Sequence, residues 1–140
     1  MLKTRGTEGG DMRPLLLLIL LCTVFLCLAF VPFSSPCGEA DKVLSALEME
    51  RETPWETVTV TLPESTDAVW KPYLALQAET GYDMVAYSGK TVTRLTCKIA
   101  NHPKGEHVYA NLFWADGKII GGDIMSPALD GFLHGLEKLK

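Results

Sequence analysis

The fold class is decided by EHVYANLFWADGKIIGGDIM, residues Glu106 to Met125. Within it, two mainly apolar runs flank Asp116-Gly117, a pair typical of the two-residue turn between antiparallel strands. Every second residue of the first run is apolar, which predicts a strand with one buried face. These residues are Val108, Ala110, Leu112 and Trp114. The stretch therefore predicts a β-hairpin.

The patterns on either side of this hairpin predict an α+β fold. Apolar residues recur three and four apart in three ranges, and apolar and polar residues alternate in two others. The predicted helices are 39–51, 64–81 and 126–140, and the predicted strands are 55–63 and the segment after the Ser88-Gly89 turn. Pro72 either opens a shorter second helix or kinks a longer one. We expect a small, mainly antiparallel sheet of about four strands, with the helices packed on one face and a single transmembrane helix before it.

That transmembrane helix is predicted from an uncharged apolar run, Leu15 to Val31. The run would span about 26 Å as a helix, close to the thickness of a hydrocarbon core. Basic residues outnumber acidic ones before it and acidic residues follow it, which predicts a cytoplasmic N-terminus. The expected parts are a cytoplasmic segment (1–14), a transmembrane signal anchor (15–33), a linker (34–38) and an extracytoplasmic domain (39–140). The protein is then a single-pass protein of the cell membrane with its C-terminal domain outside; if the run is a cleaved signal peptide, the domain is secreted.

Charge and cysteine content narrow the possible partners. From Ser34 onward the sequence has ten Lys and Arg residues and fifteen Asp and Glu residues. This net negative charge argues against a nucleic-acid partner. The spacing of Cys and His predicts no metal site, and we expect no cofactor. Cys37 and Cys97 share the exported compartment and could form a disulfide. Cys97 lies on the predicted buried face of a strand, however, which favours a free thiol.

Gly121, Gly122 and Asp123 form the first candidate binding site. Backbone N–H groups at glycines can bind an anion, and the carboxylate could act as a general base or bind a cation. Neither of the Gly-rich phosphate-binding motifs is present. The alternative is structural, because glycines inside a strand also mark a bulge or a close approach by another element.

His134 is the second candidate, because on a helix it would lie one turn after Asp130 and could be held by that carboxylate. Such a pair could act in acid–base catalysis, but no nucleophile is evident. Ser126 is followed by Pro127 and is explained better as a helix cap. No residue is therefore assigned a catalytic role.

Tyr109 and Phe113 form the third candidate, on the second face of the first hairpin strand. Together with His107 and Asn111 they could make a recognition patch. Alternatively, the C-terminal helix covers this face, since an exposed aromatic strand face promotes aggregation.

Six short motifs together resemble the domain of unknown function 4830 family. They are Tyr73-x-x-x-Gln77-x-x-x-Gly81-Tyr82-Asp83, Tyr87-x-Gly89-Lys90, Asn101-x-Pro103, Ala110-Asn111-Leu112, Ile120-Gly121-Gly122-Asp123 and Leu129-Asp130-Gly131-Phe132-x-His134-Gly135-Leu136. The resemblance covers about Glu39 to Leu136. It departs at ETPWE, where the family has a glycine leading to the tryptophan, and at His102, where an aromatic residue such as tyrosine is usual. It implies a small exported or membrane-anchored bacterial protein, and it transfers no activity or catalytic residue.

Two functions are compatible with these features. The first is a non-catalytic binding or accessory module at the cell envelope, held by its N-terminal helix and recognising an envelope protein or peptide. The alternative is a small extracytoplasmic hydrolase that uses Asp123 and His134. The lack of a catalytic constellation in the sequence favours the first.

Overall fold

The chain forms two compact units, 1–33 and 34–140, of which the computed structural model describes residues 10, 12–28 and 34–138. In the first unit, helix α1 covers Arg13–Leu28. No helix within these described residues is long and apolar enough to cross a membrane. Residues 29–33 of the predicted transmembrane segment lie outside the described residues, as does most of the predicted cytoplasmic segment 1–14.

Helix α2 (Pro36–Ala46) opens the second unit. Ser35 caps this helix, because its hydroxyl oxygen accepts a 3.1 Å hydrogen bond from the N–H of Gly38. Pro36 occupies the first turn, where the N–H that proline lacks would have no helical partner. The helix therefore begins inside the predicted linker 34–38.

A five-stranded antiparallel sheet forms the rest of the second unit, with the strands in the order of the sequence. The strands are β1 (Glu56–Thr61), β2 (Thr91–Lys98), β3 (Tyr109–Ala115), β4 (Lys118–Met125) and β5 (Leu133–Gly135). Helix α3 (Trp70–Glu79) and a single 3-10 turn (Val85–Tyr87) connect β1 to β2. The α+β class and the antiparallel sheet are confirmed, with one strand more than predicted.

The hairpin of β3 and β4 confirms the prediction from the turn residues. Asp116 and Gly117 have φ angles of 51° and 74°, the left-handed conformation that a primed two-residue turn requires at both positions. Ala115 pairs with Lys118 across the turn, and the register shifts between Phe113 and Trp114 at a bulge.

The predicted C-terminal helix over 126–140 is wrong. Residues 126–132 form a loop, in which the N–H of Gly131 donates to the carbonyl of Ala128 at 2.8 Å, and β5 follows it. Two glycines weaken helix formation in this segment, and a helix would leave the outer backbone groups of β4 without strand partners. Pairing of Met125 with Leu133 satisfies that edge instead.

The prediction that the helices share one face of the sheet is also wrong. Leu95 of β2 belongs to the same buried cluster as Leu44 of α2, whereas Val92 of β2 belongs to a second cluster with Leu74 of α3. Residues an odd number apart on a strand point to opposite faces. Helix α2 therefore covers one face (the α2 face) and α3 covers the other (the α3 face). The central strands carry buried apolar residues on both faces, so each face needs its own helix.

Helix α3 is the shorter of the two forms that Pro72 allowed. Its start is held by Asp67, whose Oδ1 accepts hydrogen bonds from the N–H groups of Val69 (2.8 Å) and Trp70 (3.0 Å). Pro72 thus lies in the first turn, where it breaks no helical hydrogen bond. After the helix, Gly81 adopts a φ of 90°, which lets the chain turn back toward the sheet.

Candidate functional site

Helix α3 is attached to β4 by the side chain of Gln77. Gln77 is fully buried, its Nε2 donates to the carbonyl of Gly122 at 2.8 Å, and its Oε1 accepts from the N–H of Gly122 at 2.9 Å. The hydrogen-bonding phase of β4 and β5 makes Leu136 the next strand partner of Gly122, but β5 ends at Gly135. The amide of Gln77 therefore replaces a missing strand residue.

This attachment explains Gly121, and the close packing of β4 against β3 explains Gly122. A Cβ on Gly121 would collide with Met84 and Gln77, and a Cβ on Gly122 would collide with the carbonyl oxygen of Asn111. The contacts agree with the close-packing interpretation of the glycines. The N–H of Gly122 is not available to bind an anion, because it already donates to Oε1 of Gln77.

Asp123 lies beneath α3 in a chain of hydrogen-bonded side chains. Only 5% of its surface is exposed. Its Oδ2 accepts from the hydroxyl of Tyr73 at 2.6 Å, and its Oδ1 accepts from Nδ2 of Asn111 at 3.0 Å. Asn111 is itself oriented by the hydroxyl of Thr96, which donates to Oδ1 at 2.9 Å. Each oxygen of the carboxylate thus has a donor from the protein.

Burial is the main influence on the pKa values of the hydrogen-bonded side chains around Asp123. It raises the pKa of Asp123 above the ordinary 3.8, while the hydrogen bonds from Tyr73 and Asn111 oppose that rise. Burial, reinforced by the neighbouring carboxylate, also raises the pKa of Tyr73, so the phenol remains a donor. An acid–base catalyst needs access to a substrate, and Asp123 has none in this arrangement.

His134 belongs to a different set of hydrogen-bonded side chains, which includes His102. The N–H of Lys104 donates to Nδ1 of His102 at 3.1 Å, so the proton of neutral His102 lies on Nε2. That nitrogen is 3.4 Å from Nε2 of His134, and Nδ1 of His134 lies 2.8 Å from the carbonyl of Gly135. One assignment satisfies all three contacts: both rings are neutral, and His134 accepts at Nε2 and donates at Nδ1. Burial, together with His134 and Lys104, holds the pKa of His102 below 6.5.

The structure does not bring Asp123 and His134 together. Asp123 pairs with Gly135 and contacts Tyr73 on the α3 face, whereas His134 pairs with Ile124, which belongs to the cluster under α2. The two side chains therefore leave the sheet on opposite faces. The pairing of His134 with Asp130 assumed a helical spacing, and no helix exists there.

The aromatic candidates are also separated from one another. Phe113 is 7% exposed and packs edge-on against Tyr73, with ring centroids 6.4 Å apart. It is thus covered by α3 and not by a C-terminal helix. Tyr109 is half-buried at the other end of β3 and lines a small depression beside Trp55. Phe113 therefore joins Gly121, Gly122 and Asp123 under α3, and Tyr109 and His134 lie elsewhere.

A polar groove beside the histidine pair was not predicted from the sequence. It has a volume of about 540 Å³ and is lined by Lys104, Glu106, His107, Ser126, Ala128, Asp130, Gly131 and Phe132. The ammonium of Lys104 stands 4.5 Å from the centre of the Phe132 ring, which stacks on His102 at a centroid distance of 5.0 Å. The groove offers charges of both signs beside one aromatic ring. The groove was not predicted because several of its lining residues lie in the loop 126–132, which was predicted from the sequence to be part of a helix.

Cysteine and metal chemistry are limited in the described part of the chain. The described cysteines Cys22, Cys37 and Cys97 are all unpaired. Cys97 is 2% exposed, and burial raises its pKa to about 12, which makes it an unreactive core residue. Over residues 10, 12–28 and 34–138, no three His, Cys, Asp or Glu side chains are grouped to hold a metal ion.

No protein-family model, curated protein or solved structure matches this chain. The resemblance to the domain of unknown function 4830 family stays a prediction.

Proposed function

We propose that the second unit is a non-catalytic binding or accessory module, held outside the cell membrane by the apolar segment 15–33. The charge distribution around that segment and the resemblance to exported proteins support this location. The proposed ligand is a peptide segment of an envelope protein.

The burial of Asp123 carries the non-catalytic part of the proposal. Tyr73 and Asn111 each donate to one of its two carboxylate oxygens, and α3 covers the group. The hydrolase alternative needs this carboxylate in reach of a substrate, together with His134. His134 leaves the sheet on the other face and is hydrogen-bonded to His102.

The polar groove is the proposed ligand site. Lys104 and His107 can meet acidic groups, Glu106 and Asp130 can meet basic groups, and the Phe132 ring can pack against an apolar side chain. A short peptide with charges of both signs matches this lining better than an anion or an apolar molecule does. Groups of opposite charge on the peptide and on the groove would then lie against one another.

Titration of the full chain with short peptides tests the ligand class. The probes are acetylated, amidated tripeptides Lys-Gly-Glu and Asp-Gly-Lys, with Gly-Gly-Gly as the uncharged comparison, and amide NMR spectra in detergent micelles report binding. We expect shifts at the groove residues with the charged peptides, weakened at least tenfold by Asp130→Asn. Lys71→Ala, an exposed change on α3, is the matched control. Equal binding of Gly-Gly-Gly, or shifts that avoid the groove, would contradict the proposed site.

A separate assay tests the absence of catalysis. Ester, amide and phosphate-ester substrates are offered to the wild-type chain and to Asp123→Asn and His134→Gln, with circular dichroism as the check on folding. We expect no turnover above background in any of them. Turnover by the wild type that a folded Asp123→Asn variant has lost would establish the hydrolase and overturn the proposal.

A further inference from the structure

Strand β1 is an edge strand whose outer side is open. In the described residues it pairs only with β2, and five of its six residues are exposed. The N–H of Leu62 donates to Lys90 at 2.9 Å, so the even-numbered residues of β1 direct their backbone groups toward β2. The N–H and C=O groups of Thr57, Thr59 and Thr61 consequently face outward.

The usual protections of an edge strand are missing from β1. Natural edges are blunted by lysine, by proline, by bulges or by being very short. The register from Glu56 to Thr61 is unbroken, and the strand contains neither lysine nor proline. The opposite edge of the sheet differs, because β5 has three residues. An open, regular edge of this kind is suited to pairing with another strand.

The sequence of β1 indicates which strand would fit. Residues 57–61 read Thr-Val-Thr-Val-Thr, which is the same in both directions. An antiparallel copy related by a two-fold axis at Thr59 places Thr57 opposite Thr61, Val58 opposite Val60, and Thr59 opposite itself. All three outward-facing threonines then fall on hydrogen-bonded positions of the new ladder, giving about six backbone hydrogen bonds. The symmetric sequence and the outward direction of the threonine backbone groups thus both place the two-fold axis at Thr59.

The side chains also match in this arrangement. Val58 is 46% exposed on the α3 face, and Val60 beside it is half-buried. Each Val58 would be covered by the other copy's Val60, which extends the apolar cluster of the α3 face across the junction. Glu56 would lie opposite Leu62 and would not meet a like charge. Pro54 and Pro63 bracket the strand and limit the pairing to it.

We propose that two copies of this chain associate through β1, antiparallel about a two-fold axis at Thr59, so that two five-stranded sheets become one of ten strands. This contact is independent of the peptide groove, which is lined by the loop between β2 and β3 and the loop between β4 and β5 and by no residue of β1. Loss of dimerisation therefore leaves the proposed function testable, and failure of peptide binding leaves the dimer testable.

Two pairs of variants test the dimer by sedimentation of the full chain in detergent across a concentration series. Thr59→Lys places two like charges directly opposite at the axis and should weaken dimerisation at least tenfold, whereas Thr66→Lys, in an exposed loop, should not. The second pair changes only a sign. Thr57→Lys with Thr61→Glu sets opposite charges across the junction and should retain the dimer, while Thr57→Lys with Thr61→Lys should lose it.

Amide hydrogen exchange supplies a readout at each residue. The amides of Thr57, Thr59 and Thr61 should gain protection as concentration rises, whereas those of Val58 and Val60 are already bonded to β2 and should change little. A monomer at every concentration up to about 1 mM would overturn the proposal. So would a dimer that is insensitive to Thr59→Lys and to the sign at residue 61, because another surface would then form it. Concentration-independent protection of the three threonines in a monomer would also overturn it.

Discussion

Replacing Gln77 with methionine tests how α3 is held to the sheet. Methionine keeps the length of the side chain but has no amide, so the N–H and C=O of Gly122 lose their partners in a fully buried position. An orphaned buried polar group costs about 1–3 kcal/mol, and two are orphaned here. We expect the free energy of unfolding to fall by about 2–6 kcal/mol, a large share of the roughly 5–15 kcal/mol typical of a domain.

Urea unfolding of the full chain in mild detergent, followed by tryptophan fluorescence, measures this loss. Glu79→Met is the matched control, because it introduces the same side chain at an exposed position of the same helix and should change stability by less than about 0.5 kcal/mol. Exchange of the Gly122 amide gives a local readout and should accelerate in Gln77→Met. A loss below about 1 kcal/mol with that amide still protected would refute the view that Gln77 acts as a strand partner.

Three further variants follow from the same region and from the histidine pair. Tyr73→Phe removes the donor to Asp123 and should cost about 1.5–3 kcal/mol in urea unfolding; it should also raise the pKa of Asp123 further, which carboxyl NMR titration measures. Gly122→Ala should cost at least about 1–3 kcal/mol, because the added Cβ meets the backbone of Asn111, and it should lower the thermal midpoint more than Gly121→Ala, whose Cβ meets side-chain atoms of Met84 and Gln77 and no backbone atom. The folded-state pKa of His102 is lowered, so its contribution to stability is present above pH 6.5 and is lost as the pH falls through the folded value. His102→Gln should therefore flatten the decline in stability between about pH 7.5 and 5, and an unchanged slope in paired urea titrations would contradict this.

The hairpin was predictable because its chemistry is local. Asp116 and Gly117 tolerate positive φ angles, and the alternation on β3 gives the buried face without reference to any distant residue. The hydrogen bonds from the N–H groups of Val69 and Trp70 to Asp67 and the place of Pro72 in the first turn are equally local. In each case, neighbouring residues decide the conformation.

The prediction for the C-terminal segment was wrong because the interaction that decides its structure, pairing with β4, is not local. The spacing of Phe132, Leu133 and Leu136 fits an amphipathic helix as well as it fits a strand preceded by a loop. The open edge of β4 decides between them, and the sequence of 126–140 contains no information about that edge. The same limit applies to the two helices, since the sequence does not say which face of the sheet each will cover.

The candidate site was found only in part for the same reason. Asp123 was singled out, but its partners Tyr73 and Asn111 lie 50 and 12 residues away in the chain. One signal was available: Gln77 falls within the apolar stripe of α3, and a buried amide at such a position needs hydrogen-bond partners on the element it packs against. The two adjacent glycines of β4 are where a close approach of that kind is possible.

The buried thiol of Cys97 gives this protein a native reporter of how often its core opens. The group is inaccessible and un-ionised at neutral pH in the folded state, yet any opening that exposes it restores an ordinary, reactive cysteine. Cys37, half-buried at the start of α2, can serve as the reference for the reagent's access. The ratio of alkylation rates at the two residues, followed by mass spectrometry on intact cells, would measure the opening equilibrium in the protein's own environment, without any introduced label.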